Sequence, residues 1–195
     1  MVHLKVPKME LFKKRIWLEY PVPKEFSIWG GDGINTLPLK NHDELIEMCV
    51  EDVATDIVVR ADRKATGMVT SLPTDTIAVM YANMDFNFQG NRQVKVSYDS
   101  SKHIALLRYF PATIVYQRKL HLEDVPNLQG DRLIYFRTYV QWKMAETELS
   151  FLKTMNMTLD NASIDLDTLK NFMDSAKEKV NTLRDSILIY SPTNG

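Results

Sequence analysis

The last third of the chain carries the pattern that most narrows its fold. Leu166, Leu169, Met173, Ala176, Val180, Leu183 and Ile187 recur at alternating steps of three and four. That is the narrow apolar seam of a helix packed lengthwise on a partner helix. The opposite face, with Lys170, Asp174, Lys177, Glu178, Asn181 and Asp185, is polar. The spacing predicts a helix opened by Ser163 or Asp165 and running to about Ile187. Its partner lies just upstream. Leu133, Phe136, Val140, Met144, Phe151 and Met155, with Trp142 and Leu152 alongside, mark a helix from Arg132 to about Met155, capped by Asp131 after Gly130. The polar connector over 158–163 is short, so the two helices are antiparallel neighbours in a hairpin spanning 131–188. Each is roughly 35 Å long at a rise of about 1.5 Å per residue.

Ahead of the hairpin the pattern changes period. Thr76–Ala82, Gln93–Tyr98, Ile104–Phe110 and Thr113–Arg118 are short, rich in Val, Ile, Tyr and Thr, and separated by turn formers. Val94, Val96 and Tyr98 alternate with Lys95 and Ser97, as in a half-buried strand. Short turns favour antiparallel pairing, so residues 69–120 are expected to form a small antiparallel sheet of three to five strands. A first helix is expected over 41–59: Asn41 or Asp43 caps it, and Leu45, Ile46, Met48, Cys49, Val50, Val53 and Ile57 form its apolar face. The charged stretch from Arg60 to Gly67 reads as a loop. The fold class is α+β, with residues 41–195 as one domain.

Residues 1–40 read differently. Pro7, Pro21, Pro23 and Pro38, with Gly30, Gly31 and Gly33, disfavour long regular elements. Yet Phe12, Trp17, Tyr20, Phe26 and Trp29 are aromatics of a kind that disordered linkers lack. The segment is expected to be an extended arm that lays its aromatics on its own domain or on a neighbouring subunit.

Charge is nearly balanced, with 24 Lys and Arg against 25 Asp and Glu. The dense basic cluster, Lys5, Lys8, Lys13, Lys14, Arg15 and Lys24, is a local patch. A nucleic-acid contact through it is possible but not favoured. The stretch Met1–Tyr20 lacks an apolar core of secretory length, and no window approaches the ~20 apolar residues of a membrane span. The chain is therefore expected to stay where it is made, with no membrane partner.

The usual supports of catalysis are missing from the pattern. Gly30-Gly31-Asp32-Gly33 follows no convincing strand and leads into no Gly-Lys-Ser or Gly-Lys-Thr, so it reads as a turn and not a phosphate cradle. His3, His42, His103 and His121 have no ligand-spaced Cys or carboxylate beside them. Cys49 lies on an apolar helix face and reads as a small buried hydrophobe. Asp160, Asp165 and Asp167 lack the glycine and terminal Glu of a calcium loop and suit a helix start instead. Glu146 and Glu148 read as helix-surface charge. No catalytic, metal or cofactor residue is assigned. The candidate protein-interface residues are Phe12, Trp17, Tyr20, Phe26 and Trp29 of the arm, and Tyr135, Arg137, Tyr139 and Trp142 of the long helix. These are types enriched where proteins meet.

The layout over about residues 41–188 resembles that of tailed-bacteriophage virion proteins of the head–tail connector or neck adaptor type. The residues that carry the likeness are Asp43-Glu44-Leu45-Ile46-Glu47-Met48-Cys49-Val50-Glu51-Asp52, the β-rich middle, and Arg132-Leu133-Ile134-Tyr135-Phe136-Arg137-Thr138-Tyr139-Val140 opening the hairpin. The β region departs from compact connector proteins, which are smaller and nearly all helical. The resemblance implies a non-catalytic subunit of a symmetric ring in the virion, assembled in the host cytoplasm. It would touch copies of itself and portal or tail components. A baseplate or tail-terminator subunit is the nearest alternative. A small enzyme, or a nucleic-acid-contacting protein, with a site built from dispersed residues is the alternative of another class.

Overall fold

The computed structural model describes residues 8–24, 27–29, 42–84, 92–154 and 165–189. The fold is α+β, and the chain divides into two compact units, one of residues 1–56 and 121–195 and the other of residues 57–120. The second is therefore an insertion between the helices of the first.

The helical unit contains α1 (Lys8–Leu18), α2 (His42–Asp52), a 3-10 turn over Leu122–Asn127, α3 (Gly130–Thr154) and α4 (Leu166–Ile189). The αα-hairpin is present. Along its seam Leu169, Ala176, Val180 and Ile187 are buried and Met173 and Leu183 half-buried, while Leu166 is exposed at the first turn. Asp165 opens α4: its carboxylate accepts from the Asp167 amide at 3.0 Å and from the Thr168 hydroxyl. Those bonds, that from Thr168 foremost, hold the Asp165 carboxyl below its ordinary value. Gly130 turns the chain into α3 with φ of +57°, a left-handed conformation that glycine adopts freely. The expected hairpin positions Met155 and 158–163 lie outside the described residues.

The extended-arm expectation fails where it can be judged. Lys8–Leu18 is a helix that buries Phe12 and Ile16, one turn apart. The ring of Phe12 stacks on Phe136 of α3 at 5.7 Å. Gln141 donates its side-chain amide to the Ile16 carbonyl at 3.0 Å, satisfying an acceptor near the open end of α1. Lys13 ties α1 to α2 through Asp43 at 2.7 Å. The apolar stripe is only two residues wide among many cations, so packing on α3 decides the helix more than local pattern does.

The first expected helix is shorter than 41–59. It ends at Asp52, a turn follows through Asp56, and Val58 already belongs to β1. The inserted unit holds β1 (Val58–Lys64), β2 (Val69–Ser71), β3 (Thr76–Met84), β4 (Gln93–Val94), β5 (Ser97–Asp99), β6 (Ile104–Leu106) and β7 (Ala112–Lys119). They form two antiparallel sheets, one ordered β1-β7-β3-β4 and one ordered β2-β6-β5, in place of the single sheet of three to five strands expected inside one domain 41–195. The expected strand Gln93–Tyr98 is broken at 95–96 and divided between the two sheets, and Ile104–Phe110 ends as a strand at Leu106. The core of the unit is small, with Leu72, Ala82, Ala105, Leu107, Ala112, Ile114 and Tyr116. The stretch read as the loop Arg60–Gly67 is mostly β1, paired along its length with β7. Its Arg60-Ala61-Asp62-Arg63-Lys64 sequence hid it. β1 is an edge strand, and edge strands carry charge because it discourages further pairing.

Candidate protein-interaction surface

The aromatics expected to face partners are mostly inside the helical unit. Phe12, Tyr20, Trp29 and Tyr135 are buried, and Trp17, Arg137, Tyr139 and Trp142 are half-buried. Phe26 lies outside the described residues. Tyr135 donates to Asp56 at 2.7 Å, and Arg184 of α4 holds the other carboxylate oxygen at 3.1 Å. Tyr139 donates to Asp52 at 3.1 Å, and Arg137 pairs with Glu19 at 3.2 Å. Trp142 meets Tyr139 edge-on at 5.4 Å and lies under the Lys143 ammonium at 4.4 Å. An aromatic body with a polar tip suits an interface and a polar-edged core equally well, and residue type does not separate the two.

Glu148 corrects the surface-charge reading most sharply, because it is 0% exposed. Its carboxylate accepts from the Tyr20 hydroxyl at 2.6 Å, the Ser27 hydroxyl at 3.0 Å and the Ile28 amide at 3.2 Å. Trp29 adds a bond from its indole N–H to the Met144 carbonyl at 3.1 Å. Burial pushes the Glu148 carboxyl above its ordinary value, outweighing those three hydrogen bonds. The Tyr20 hydroxyl is also driven up, first by burial and then by the Glu148 charge. This group fastens the segment after α1 to α3. A carboxylate enclosed by three donors from its own chain is not positioned to meet a substrate.

Cys49 is buried as well and His42 half-buried, whereas His121 and Glu123 are exposed at the 3-10 turn. Burial pushes the Cys49 thiol up to about 12 and His42 down to about 4, so at neutral pH the one is a thiol and the other an uncharged imidazole. Among the described residues no group of three His, Cys, Asp or Glu could hold a metal ion. A groove of about 280 Å³ between α1 and the 3-10 turn is lined by Lys8, Leu11, Phe12, Arg15, Val125 and Leu133 among others. It presents no histidine, cysteine or carboxylate.

Exposed apolar side chains concentrate instead on the inserted unit. In the small sheet, Thr70, Ala105 and Tyr98 pair across the strands and turn inward; Val69, Leu106 and Ser97 pair across them and turn outward. Val69 is 62% exposed and Leu106 47%. Met68, 59% exposed, adjoins them, its carbonyl accepting from the Leu107 amide at 2.8 Å. Tyr109 and Phe110 follow, also exposed. Lys95 and Arg108, both exposed, lie two residues beyond Ser97 and Leu106, just past the strand ends. Sequence reasoning missed this surface because the strands are only three residues long, too short to show which side of the alternation is covered.

The charge divides with the fold. Residues 57–120 carry nine Lys and Arg against only Asp62, Asp75, Asp85 and Asp99, a formal net of +5. The rest of the chain carries 15 basic against 21 acidic residues, a net of −6, and the two give the −1 of the whole. Much of the acidic excess lies on α2, which has no Lys or Arg. Leu45, Ile46, Cys49 and Val50 face inward there, and Asp43, Glu44, Glu47, Glu51 and Asp52 are exposed with Met48.

The chain matches no protein-family model and no curated protein sequence. No helix among the described residues is long and apolar enough to cross a membrane.

Proposed function

We propose that this protein is a non-catalytic assembly subunit that works through protein–protein contacts, and that it is a ring-forming virion protein of the tailed-phage head–tail connector type. The observation that carries the assembly reading is the outward row of the small sheet, where Val69 and Leu106 stand exposed, with Met68, Tyr109 and Phe110 also exposed just beyond the strand ends. Aromatic residues, Met and Arg are the types enriched at the centres of protein interfaces, and a cluster of exposed large apolar side chains marks a contact surface. The enclosure of Glu148 and Cys49 supports the same reading, since both are used in packing. The virion assignment rests on the likeness of layout over about residues 41–188.

Negative-stain microscopy of the purified chain, alone and mixed with portal or tail components, tests the proposal. Rings or defined co-complexes are expected. A chain that remains monomeric in every mixture and is missing from purified particles would sink it.

A further inference from the structure

We infer that copies of this chain join head to tail, the outer face of the small sheet of one copy seating on the outer face of α2 of the next. The inference rests on the assembly reading above and names its contact. The sheet face offers Val69 and Leu106 as an apolar centre, with the exposed cations Lys95 and Arg108 two residues beyond Ser97 and Leu106 in the chain. Asp99, which pairs with Ile104 one row further along, has its carboxylate engaged by the Ser101 amide and hydroxyl, at 3.0 and 2.6 Å, and by the Lys102 amide at 3.3 Å.

The α2 face is the complement. Asp43 is held by Lys13 at 2.7 Å and Asp52 by the Tyr139 hydroxyl at 3.1 Å. Glu47 and Glu51 stand one turn apart, exposed, with no ion pair among the described residues, and Met48 beside them is 42% exposed. Like charges four residues apart weaken a helix, so a cationic partner relieves repulsion already present in the free chain.

A second copy fits better than another occupant. One chain carries both signs, +5 on the inserted unit and −6 on the rest, so each copy brings the surface the other lacks. Two sheet faces paired with each other would set Lys95 and Arg108 against copies of themselves. The aliphatic centre suits a protein face more than a nucleic acid, whose contacts are to phosphates and base edges. Contact between two different faces of identical chains is heterologous, and such contacts propagate and close into a ring when the rotation allows.

Two variants test the pairing by sedimentation velocity and native mass spectrometry: Leu106→Asp on the sheet, and Glu47→Lys with Glu51→Lys on α2. All three positions are exposed, and thermal melts matching the wild type establish that the variants fold. The wild type is expected to assemble with concentration and to loosen with salt. Each variant alone is expected to associate at least about tenfold more weakly. Mixed in equal amounts they should form a dimer of one copy of each and nothing larger, because each retains one working face. A chain combining Lys95→Glu, Arg108→Glu, Glu47→Lys and Glu51→Lys should assemble again. If the α2 variant assembles as the wild type does, the inference is overturned while the assembly reading stands on some other face. A wild type monomeric at every concentration overturns it too, and the assembly reading then depends on particle incorporation alone. A monomer that binds a DNA oligonucleotide, with binding lost on Lys95→Glu and Arg108→Glu, overturns it in favour of a nucleic-acid contact.

Discussion

The two units place their large side chains in opposite ways. The helical unit encloses Phe12, Tyr20, Trp29, Tyr135, Phe136 and Met144, and even a carboxylate, Glu148. The inserted unit builds its core around Ala82, Ala105 and Ala112, with Leu72, Leu107, Ile114 and Tyr116, and leaves Met68, Val69, Leu106, Tyr109 and Phe110 outside. Two long helices can close on each other along a seam and cover bulky groups from both sides. In the inserted unit β7 is covered on both faces, with Ile114, Val115 and Tyr116 all buried, but the three-stranded sheet sends Val69 and Leu106 outward. Exposed bulky residues are commoner on the inserted unit, although Leu11, Leu18 and Met48 stand exposed on the helical one. Charge follows the same division, acidic around the helices and basic on the sheets.

The comparison breaks first at Phe136. Phe136→Ala removes a fully buried ring stacked on Phe12 and is expected to destabilise the protein by about 3–5 kcal/mol, measured as the shift of the chemical-denaturation midpoint. A near-neutral result would mean that the helical core is not packed as described. Glu148→Ala comes next. It leaves the Tyr20 and Ser27 hydroxyls and the Ile28 amide without their acceptor, at about 1–3 kcal/mol.

Glu148 also sharpens the comparison through pH. Its folded-state value is raised by burial, so its contribution is fully present below the unfolded value, near 4.5, and is lost as pH rises through the folded value. The difference in stability between wild type and Glu148→Gln should therefore shift against the wild type with rising pH over that window. A difference that is flat, or that moves the other way, contradicts the burial described here. Gly130→Ala imposes φ of +57° on a residue with a Cβ and should lower stability by about 1 kcal/mol, seen as a lower melting temperature. The smallest effect belongs to the sheet: Leu106→Ser should change stability by less than about 0.5 kcal/mol, because the side chain already faces solvent in the isolated chain. A large loss there would place Leu106 in the core and remove the contact surface.

The hairpin, the α+β class and the β-rich middle were legible because each rests on periodicity. The Leu169–Val180 seam is a repeated signal that burial follows. The alternation from Val94 to Tyr98 marks half-buried residues too, but the chain breaks there into β4 and β5 of different sheets. β1 was not legible because its edge position replaces apolar alternation with charge, and α1 was not because Phe12 and Ile16 make a stripe too narrow to stand out. Glu148 illustrates a different limit. In sequence it is one carboxylate among the polar positions of a long helix. Its burial depends on Tyr20 and Ser27, more than a hundred residues away.

What the linear chain settled alone was the repeat of apolar residues, since a helix of 3.6 residues per turn and a strand of two turn that repeat directly into a face. Which faces are covered was settled only by the folded molecule. The same Tyr or Trp serves a core or a contact according to what lies across from it, and that neighbour comes from elsewhere in the chain. The separation of charge is of the same kind: every Lys and Asp is visible in the sequence, but the boundary that sorts them into a basic and an acidic unit is drawn by the sheets closing on themselves between residues 57 and 120.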